Sequence, residues 1–273
     1  MRWRGSFAIA LVLLISGGCR KEQPAAVSAP PATVNVLAAA SLTESFTEIG
    51  KRFEAENPGV RIEFNFAGSQ ALRAQLENGA PADVFASANA KEMNTAWTEF
   101  LVKPGTIRDF ACNRLVVIVP KGNPGKIATL NDLGNRGVKI DVADASVPAG
   151  QYTLQMLDRM SGNRAYGPEF KKDFLANVVS QEENVKSVVS KIRLGEADAG
   201  VVYVTDVSAD AAKDVQTLSV PDSLNPIASY SIAVVAKAPQ ARLAEKFEDF
   251  VLSDEGQGIL HDFNFIPASP GMR

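Results

Sequence analysis

Strand-like and helix-like segments alternate along this chain from Thr33 onward, and this alternation constrains the fold more than any other feature. A short apolar run from Val34 to Ala38 precedes a segment in which Phe46, Ile49 and Phe53 recur at helical spacing. The same order, a buried strand followed by an amphipathic helix, returns several times before the C-terminus. Such alternation predicts an α/β fold in which mainly parallel sheets are flanked by helices.

The length of 273 residues allows one large domain or two medium ones, and the order of segments does not choose between them. With 46% hydrophobic and 22% charged residues the composition is that of a globular protein, so bulk disorder is excluded. The formal net charge of −3 gives no indication of a nucleic-acid partner.

The first 18 residues are typical of an export signal. Arg2 and Arg4 form a basic start, and the twelve residues from Phe7 to Gly18 carry no charge. This run is too short for a membrane-spanning helix, which needs about 20 apolar residues, but it suits a signal peptide. A buried first helix of the mature protein is the alternative.

Small residues then lead into Cys19, in a pattern that resembles the bacterial lipobox, whose cysteine is lipidated and becomes the first mature residue. Ser16 stands where an aliphatic residue is usual, so cleavage without a lipid stays open. Residues 19–32 contain three prolines and no apolar periodicity, which predicts a flexible tether. An anchored domain needs such a tether, so we expect a lipidated Cys19 on the periplasmic or cell-surface side of the bacterial plasma membrane. Cys112 is then expected to be a small buried side chain.

Small or hydroxyl residues stand where four of the predicted helices begin. These junctions are Ala40-Ser41, Gly68-Ser69, Pro148-Ala149-Gly150 and Asn184-Val185. A helix start leaves backbone N–H groups unpaired and carries a partial positive charge, so small residues there let an oxyanion approach closely. Ser41 and Ser69 can add hydroxyl donors. Helix capping is the commoner role of such residues, and Ser41 with Glu44 fits a capping box.

Residues for common hydrolytic catalysis are sparse. His261 is the only histidine, so neither a Ser-His-Asp triad nor a Cys-His pair can form around a central histidine. Asp83, Asp141 and Asp144 lie near strand ends and could serve acid–base chemistry or bind a hard cation. Aspartates in such positions more often cap helices and orient loops.

Six short segments occur in an order that is specific when they are taken together. They are residues 36–43, 66–72, 79–85, 113–117, 147–150 and 200–203. Across Thr33 to Pro267 this ordered set resembles the periplasmic molybdate-binding proteins of bacterial ABC transporters, which are type II periplasmic binding proteins.

The resemblance implies two α/β lobes that enclose an oxyanion between them. Residues 33–112 and 225–273 would form the first lobe, and residues 113–224 the second. The implied ligand donors are the hydroxyl and backbone N–H groups of Ser41 and Ser69, the backbone N–H groups of Ala149 and Val185, and the hydroxyl of Tyr203. The resemblance also implies a monomeric receptor without catalysis, cofactor or direct cation ligands, which delivers its anion to a membrane permease.

Two features depart from the family pattern. The stretch between Ala149 and Val185 is longer than usual, which makes the position of Val185 the weakest of the five. Gln70 stands where glycine or serine is common, and this is expected to alter the rim of the site.

The five implied donors are neutral, and this predicts the charge state of the ligand. Many N–H and O–H donors can hold a dianion through charge-assisted hydrogen bonds, whereas a protonated oxyanion would leave its own O–H unpaired. We therefore expect molybdate or tungstate to bind, hydrogen phosphate to be rejected, and sulfate to be excluded by size alone. The alternatives are a receptor for sulfate or another small tetrahedral oxyanion, an enzyme that uses Asp83 or Asp144 on the same scaffold, and an adhesion or structural module.

Overall fold

The computed structural model describes residues 31–268. The predicted signal peptide of residues 1–18 and the predicted lipidation site Cys19 lie outside this range, as does most of the tether predicted over residues 19–32. Within the described range no helix is long and apolar enough to cross a membrane.

The described chain forms eleven strands and eight α-helices. The strands are β1 (Ala32–Ala39), β2 (Val60–Ala67), β3 (Val84–Ser87), β4 (Arg108–Asn113), β5 (Leu115–Pro120), β6 (Ile140–Ala143), β7 (Val178–Glu182), β8 (Ala199–Tyr203), β9 (Val215–Ser219), β10 (Ala228–Val234) and β11 (Ile266–Pro267). The helices are α1 (Thr43–Glu56), α2 (Ser69–Glu77), α3 (Ala90–Thr98), α4 (Pro148–Ser161), α5 (Phe170–Ala176), α6 (Val185–Leu194), α7 (Ala241–Leu252) and α8 (Asp254–Asp262).

The strands form two sheets. The first has the order β11-β4-β10-β3-β1-β2, and the second has the order β7-β6-β8-β5-β9. Helices α1, α2, α3, α7 and α8 pack with the first sheet, α4 and α6 pack with the second, and α5 packs on α4. We call the first group the first lobe and the second group the second lobe. The prediction of a two-lobe α/β fold is confirmed, while the exact lobe boundaries stay a prediction.

The sheets are mixed, so the expectation of mainly parallel sheets needs correction. Four of the nine pairs of neighbouring strands are parallel, and five are antiparallel. The parallel pairs are joined through helices, as a parallel crossover requires. The antiparallel pairs involve the strands that carry the chain into or out of a sheet, and such pairs do not need a crossover helix.

Apolar helix faces hold each lobe together. In the first lobe the ring of Phe247 on α7 contacts Phe46 and Phe53 of α1, with ring centroids 6.1 and 5.4 Å apart. In the second lobe α6 buries Val188 and Ile192 against the sheet. The spacing of these side chains is the helical spacing predicted from the sequence. Because they are packed in the core of their lobe, they hold the start of each helix at a fixed place relative to its sheet.

The chain passes between the sheets twice, from β4 to β5 and from β9 to β10. The side chain of Asn225 joins these two crossings, because it accepts a hydrogen bond from the Leu115 N–H at 3.0 Å and donates one to the Leu115 carbonyl at 2.8 Å. Any change in the angle between the lobes would have to pass through these two crossings.

Candidate binding site

A pocket with buried walls lies where the two lobes meet. We call it the interlobe pocket, and it is lined by Ala39, Ala40, Ser41, Ala67, Gly68, Ser69, Ala88, Val147, Pro148, Ala149, Asn184, Val185 and Tyr203. All five predicted donor residues are therefore brought together, and each is at most 3% exposed. The free volume of the pocket is about 10 Å³, so the pocket suits a small ligand. No lining side chain carries a formal charge.

Three helices begin at the pocket. Helix α2 begins at Ser69 and α4 at Pro148, and no side chain caps either start. Helix α6 begins at Val185, and the Asn184 side chain accepts a hydrogen bond from the Ser187 N–H one turn further on. Val185 therefore lines the pocket despite the long stretch that precedes it. The uncapped first-turn N–H groups give the pocket a partial positive potential without a cationic side chain.

Ser41 lies in a 3₁₀ turn, Ala40–Leu42, that precedes α1. The capping box predicted for Ser41 and Glu44 is wrong, because the turn moves Ser41 out of the cap position and Leu42 takes it without a side-chain bond. The Ser41 hydroxyl is instead 2.8 Å from the hydroxyl of Tyr230 on β10. Because Ser41 does not cap α1, its hydroxyl is available at the wall of the pocket.

The hydroxyls of Ser69 and Tyr203 are both available to a ligand. Ser69 Oγ accepts a hydrogen bond from the Ala88 N–H at 3.0 Å, which leaves its own proton to donate. The Tyr203 hydroxyl is buried and makes no hydrogen bond within the described residues. Burial, and then the nearby phenol of Tyr230, raise the pKa of Tyr203 well above its ordinary value. Tyr203 thus keeps its proton and can donate it to a ligand.

A buried hydrogen-bond network behind Ser41 was not found from the sequence. Asn113 Nδ2 donates to Thr205 Oγ1 at 2.8 Å and to the Tyr230 hydroxyl at 3.2 Å. Asn113 ends β4 and Thr205 follows β8, so the network joins the two lobes at a crossing. Tyr230 lies 189 positions after Ser41, and no local motif signals that pairing.

Side chains and backbone from both lobes meet at the rim of the pocket. Gln70 Nε2 donates to the Glu183 carbonyl of the second lobe at 3.2 Å, so the residue that departs from the family pattern bridges the lobes. A Cβ atom on Gly68 would lie 2.6 Å from that same carbonyl oxygen, so the backbones can approach this closely only with glycine there. Asn89 of the first lobe also donates to Gln151 of the second at 3.3 Å. Together with the burial of the donors, these contacts describe a closed form.

A second, open cavity borders the interlobe pocket and shares Ala40 and Asn184 with it. We call it the charged groove, because Glu182, Lys186 and Lys191 are among its lining residues.

Lys186 of the charged groove links the lobes. Its Nζ lies 2.7 Å from Glu44 of the first lobe and 3.4 Å from the buried carboxylate of Asp206. Burial lowers the pKa of Lys186, but the attraction of Asp206 and Glu44 outweighs that effect, so the pKa is raised. Asp206 in turn accepts a hydrogen bond from the Tyr203 N–H at 3.0 Å. The ion pair therefore includes Asp206, which is hydrogen-bonded to the backbone of the pocket residue Tyr203.

The three aspartates considered for catalysis lie outside the pocket lining. Asp83 is buried and accepts hydrogen bonds from the Asn35 and Gln240 N–H groups at 2.8 and 2.6 Å. Asp144 accepts from the Ser146 hydroxyl and N–H, and these bonds lower its pKa. Both carboxylates therefore orient backbone, the role that is common for aspartates near strand ends.

Asp141 is fully buried in β6 beneath the charged groove. Burial, and then the charge of Glu182, raise its pKa to about 7. Across residues 31–268, no group of three or more His, Cys, Asp or Glu side chains could hold a metal ion.

Comparison with known proteins places this chain in a family. The family model described as bacterial extracellular solute-binding protein matches residues 34–266. The molybdate-binding protein ModA of Mycobacterium tuberculosis is 38% identical over 272 residues, which cover 97% of this chain and 99% of that protein.

Solved structures agree on the fold. The substrate-binding domain of a putative molybdenum ABC transporter from Clostridium difficile is 29% identical with a TM-score of 0.64, over 87% of this chain and 100% of that one. The sulfate-binding protein SubI of Mycobacterium tuberculosis has a TM-score of 0.76 over 88% of each chain. At 18% identity it shows the fold alone.

Proposed function

From the premise that this chain belongs to the bacterial extracellular solute-binding protein family, we propose that it captures molybdate or tungstate in the interlobe pocket and delivers it to an ABC transporter. The relatives whose names mention molybdate or molybdenum support this ligand class. The proposed donors are the hydroxyls of Ser41, Ser69 and Tyr203 and the helix-start N–H groups at Ser69, Ala149 and Val185.

The observation that carries the proposal is the Tyr203 hydroxyl, which is buried in the pocket without a partner. An unpaired buried hydroxyl costs roughly 1–3 kcal/mol, so its position indicates that a ligand oxygen completes the site. The N–H groups at three helix starts point to the same ligand chemistry, because each adds a donor and none adds an acceptor.

The neutral lining explains how the pocket can hold a dianion. A molybdate oxygen that enters the pocket exchanges water for fixed donors, and such charge-assisted hydrogen bonds are about twice as strong as neutral ones. Hydrogen phosphate carries a proton at neutral pH and would need an acceptor within the pocket. Sulfate has the same charge as molybdate and differs in size, so the closed volume must separate these two anions.

Titration calorimetry with molybdate, tungstate, sulfate and hydrogen phosphate tests the proposal. We expect one site for molybdate or tungstate, far weaker binding of sulfate, and no detectable binding of millimolar hydrogen phosphate. Saturating molybdate should also raise the melting temperature, because a ligand present at 100 times Kd stabilises the folded form by about 2.7 kcal/mol. A protein that gives neither heat nor a melting shift with both metal oxyanions would not be a molybdate receptor.

The location of the receptor belongs to the same proposal. We propose that the protein acts outside the cytoplasm as a monomer, held to the membrane by a lipid on Cys19 and by the tether of residues 19–32. Labelled fatty acid should be incorporated into the wild type and lost in Cys19→Ala, together with partition into membranes. A wild type that stays freely soluble after export would rule out the anchor and leave the ligand proposal intact.

A further inference from the structure

We infer that Tyr230 is a positioning residue that fixes the Ser41 hydroxyl as a hydrogen-bond donor to the ligand and so selects against protonated oxyanions. The inference rests on the proposed function and concerns the same pocket. Tyr230 is fully buried and is not part of the pocket lining, so it would act through Ser41 rather than by touching the ligand.

The direction of the hydrogen bonds behind Ser41 follows from Asn113. The Asn113 Oδ1 atom accepts from the Arg114 N–H at 2.9 Å, which fixes the orientation of the amide. Its Nδ2 atom then faces Thr205 and Tyr230, and an amide nitrogen can only donate. The Tyr230 oxygen is therefore an acceptor toward Asn113, and its own proton is left to donate. Ser41 Oγ lies 2.8 Å away, and in the inferred arrangement Tyr230 is the donor of this pair.

Ser41 consequently accepts from Tyr230. A serine hydroxyl has one proton, and a proton cannot lie on the line along which Tyr230 donates. The proton of Ser41 must point elsewhere, and the space that Ser41 lines is the interlobe pocket. Ser69 is set in the same way, since its oxygen accepts from the Ala88 N–H. Each of these two serines thus accepts a hydrogen bond from a group outside the pocket and is left to donate its own proton into the pocket.

Loss of the Tyr230 hydroxyl would release this constraint. Ser41 could then rotate and present a lone pair to the pocket, which would supply the acceptor that a protonated oxyanion needs. Affinity for a fully deprotonated dianion should fall because the Ser41 proton is no longer held toward it. The affinity for hydrogen phosphate should rise relative to that for molybdate, and this change of ratio is specific to a positioning role.

The test is Tyr230→Phe in the full chain, with molybdate and inorganic phosphate titrated separately by calorimetry. We expect the Kd for molybdate to rise about three- to tenfold, as for one weakened hydrogen bond to a charged group, and phosphate binding to become measurable. Tyr152→Phe is the matched control. Its ring packs on Tyr203 at 6.5 Å, but its hydroxyl accepts from the Ser229 N–H and contacts no pocket serine. Selectivity should be unchanged in this control.

A double-mutant cycle separates positioning from general loosening of the core. In a Ser41→Ala background, Tyr230→Phe should have no further effect on the molybdate Kd, whereas in a Ser69→Ala background it should have its full effect. Equal effects in both backgrounds would contradict the inference, as would an unchanged molybdate-to-phosphate ratio in Tyr230→Phe.

A second variant covers the case in which Tyr230→Phe does not fold. Asn113→Asp replaces the amide donor with a carboxylate acceptor. The Tyr230 hydroxyl would then donate to residue 113, and Ser41 would donate its proton to the Tyr230 oxygen instead of to the ligand. We expect the same loss of preference for molybdate over phosphate as in Tyr230→Phe. A folded Asn113→Asp protein with the wild-type preference would overturn the inference. A wild type that binds no molybdate would instead refute the proposed function, so the two failures are distinguishable.

Discussion

The interlobe pocket and the charged groove share two residues, yet they use opposite electrostatics. The pocket has buried walls and is lined by neutral residues, with helix starts and hydroxyls as donors. The groove is open and contains Lys186 and Lys191, each paired with a carboxylate. An anion in the groove would have to compete with Glu44 and Glu182 for these cations, whereas the lining of the pocket contains no carboxylate. One charged pair, Lys186 with Glu44, joins the lobes beside the pocket, and backbone and hydroxyl dipoles are left for the ligand.

The largest expected effect comes from placing a charge in the pocket wall. Ala149→Asp would put a carboxylate beside a dianion, and at an effective dielectric constant of about 20 and a distance of roughly 6 Å the repulsion is roughly 5 kcal/mol. Calorimetry should show molybdate affinity reduced at least about a hundredfold.

Ser190→Asp is the control for this variant, since it adds the same charge to the exposed part of the groove. Its affinity should stay within about threefold of wild type. Comparable losses in the two variants would mean that the pocket wall is not the place where the anion binds.

Removal of single hydroxyl donors should have the next largest effect. Ser69→Ala and Tyr203→Phe each delete one O–H and keep the backbone and most of the side-chain volume. A hydrogen bond to a charged group contributes roughly 1.5–3 kcal/mol, so each variant should lose about ten- to a hundredfold in molybdate affinity.

Ser45→Ala is the matched control for these donor variants. Ser45 is buried in α1 close to Ser41, but its hydroxyl donates to the Leu42 carbonyl at 3.2 Å and does not line the pocket. If Ser45→Ala weakened molybdate binding as much as Ser69→Ala, the assignment of donors would be wrong even with the function correct.

A smaller effect is expected at the ion pair that joins the lobes. Glu44→Gln removes the contact between the first lobe and Lys186 but leaves Lys186 paired with Asp206. Partly exposed ion pairs contribute about 0.2–1 kcal/mol, so stopped-flow measurement should show molybdate dissociating about two- to fivefold faster.

Salt provides the second readout for this pair. The difference between Glu44→Gln and wild type should shrink at high ionic strength, because salt screens partly exposed charges. Glu63→Gln, which breaks a pair with Arg61 inside the first lobe, should leave the dissociation rate unchanged. An equal acceleration in both variants would contradict a role of charge in closure.

The smallest effect on affinity is expected at Asp141, below the groove. Its pKa is raised to about 7 in the folded protein, so the folded state holds a proton that the unfolded state releases near pH 4. The free energy of unfolding should therefore fall as the pH rises toward 7, and Asp141→Asn should remove this part of the fall. Thermal melting should show the stability of the variant rising relative to wild type from about pH 4 to about pH 7, with molybdate affinity unchanged. A gain that grows toward acid pH would contradict the assigned pKa direction.

The sequence predicted the fold class and the helix starts that line the pocket because those signals are local, whereas Tyr203 was assigned only through the resemblance to the family. Apolar spacing identifies Phe46 and Phe53 as core residues of a helix, and small residues mark the helix starts at Ser69 and Val185. The strand directions were less predictable, since a returning strand such as β10 can enter a sheet in either direction.

The side-chain contacts that were not predicted from the sequence join residues that are far apart in the chain. Tyr230 contacts Ser41 across 189 positions and Lys186 contacts Glu44 across 142, and neither pair has a spacing rule. The capping-box prediction failed for a local reason, because Ser41, Leu42, Thr43 and Glu44 fit that pattern whether or not an extra turn intervenes. Hydroxyl direction depends on what lies behind each serine, which only the assembled lobes define.

A crystal structure of the protein grown with tungstate or molybdate, with the metal located by its anomalous scattering, tests the central claim most directly. The account predicts one strong peak within the interlobe pocket, with oxyanion oxygens at hydrogen-bond distance from the hydroxyls of Ser41, Ser69 and Tyr203 and from the N–H groups of Ala149 and Val185. A peak beside Lys186 and Lys191 in the charged groove, with the interlobe pocket empty, would contradict it.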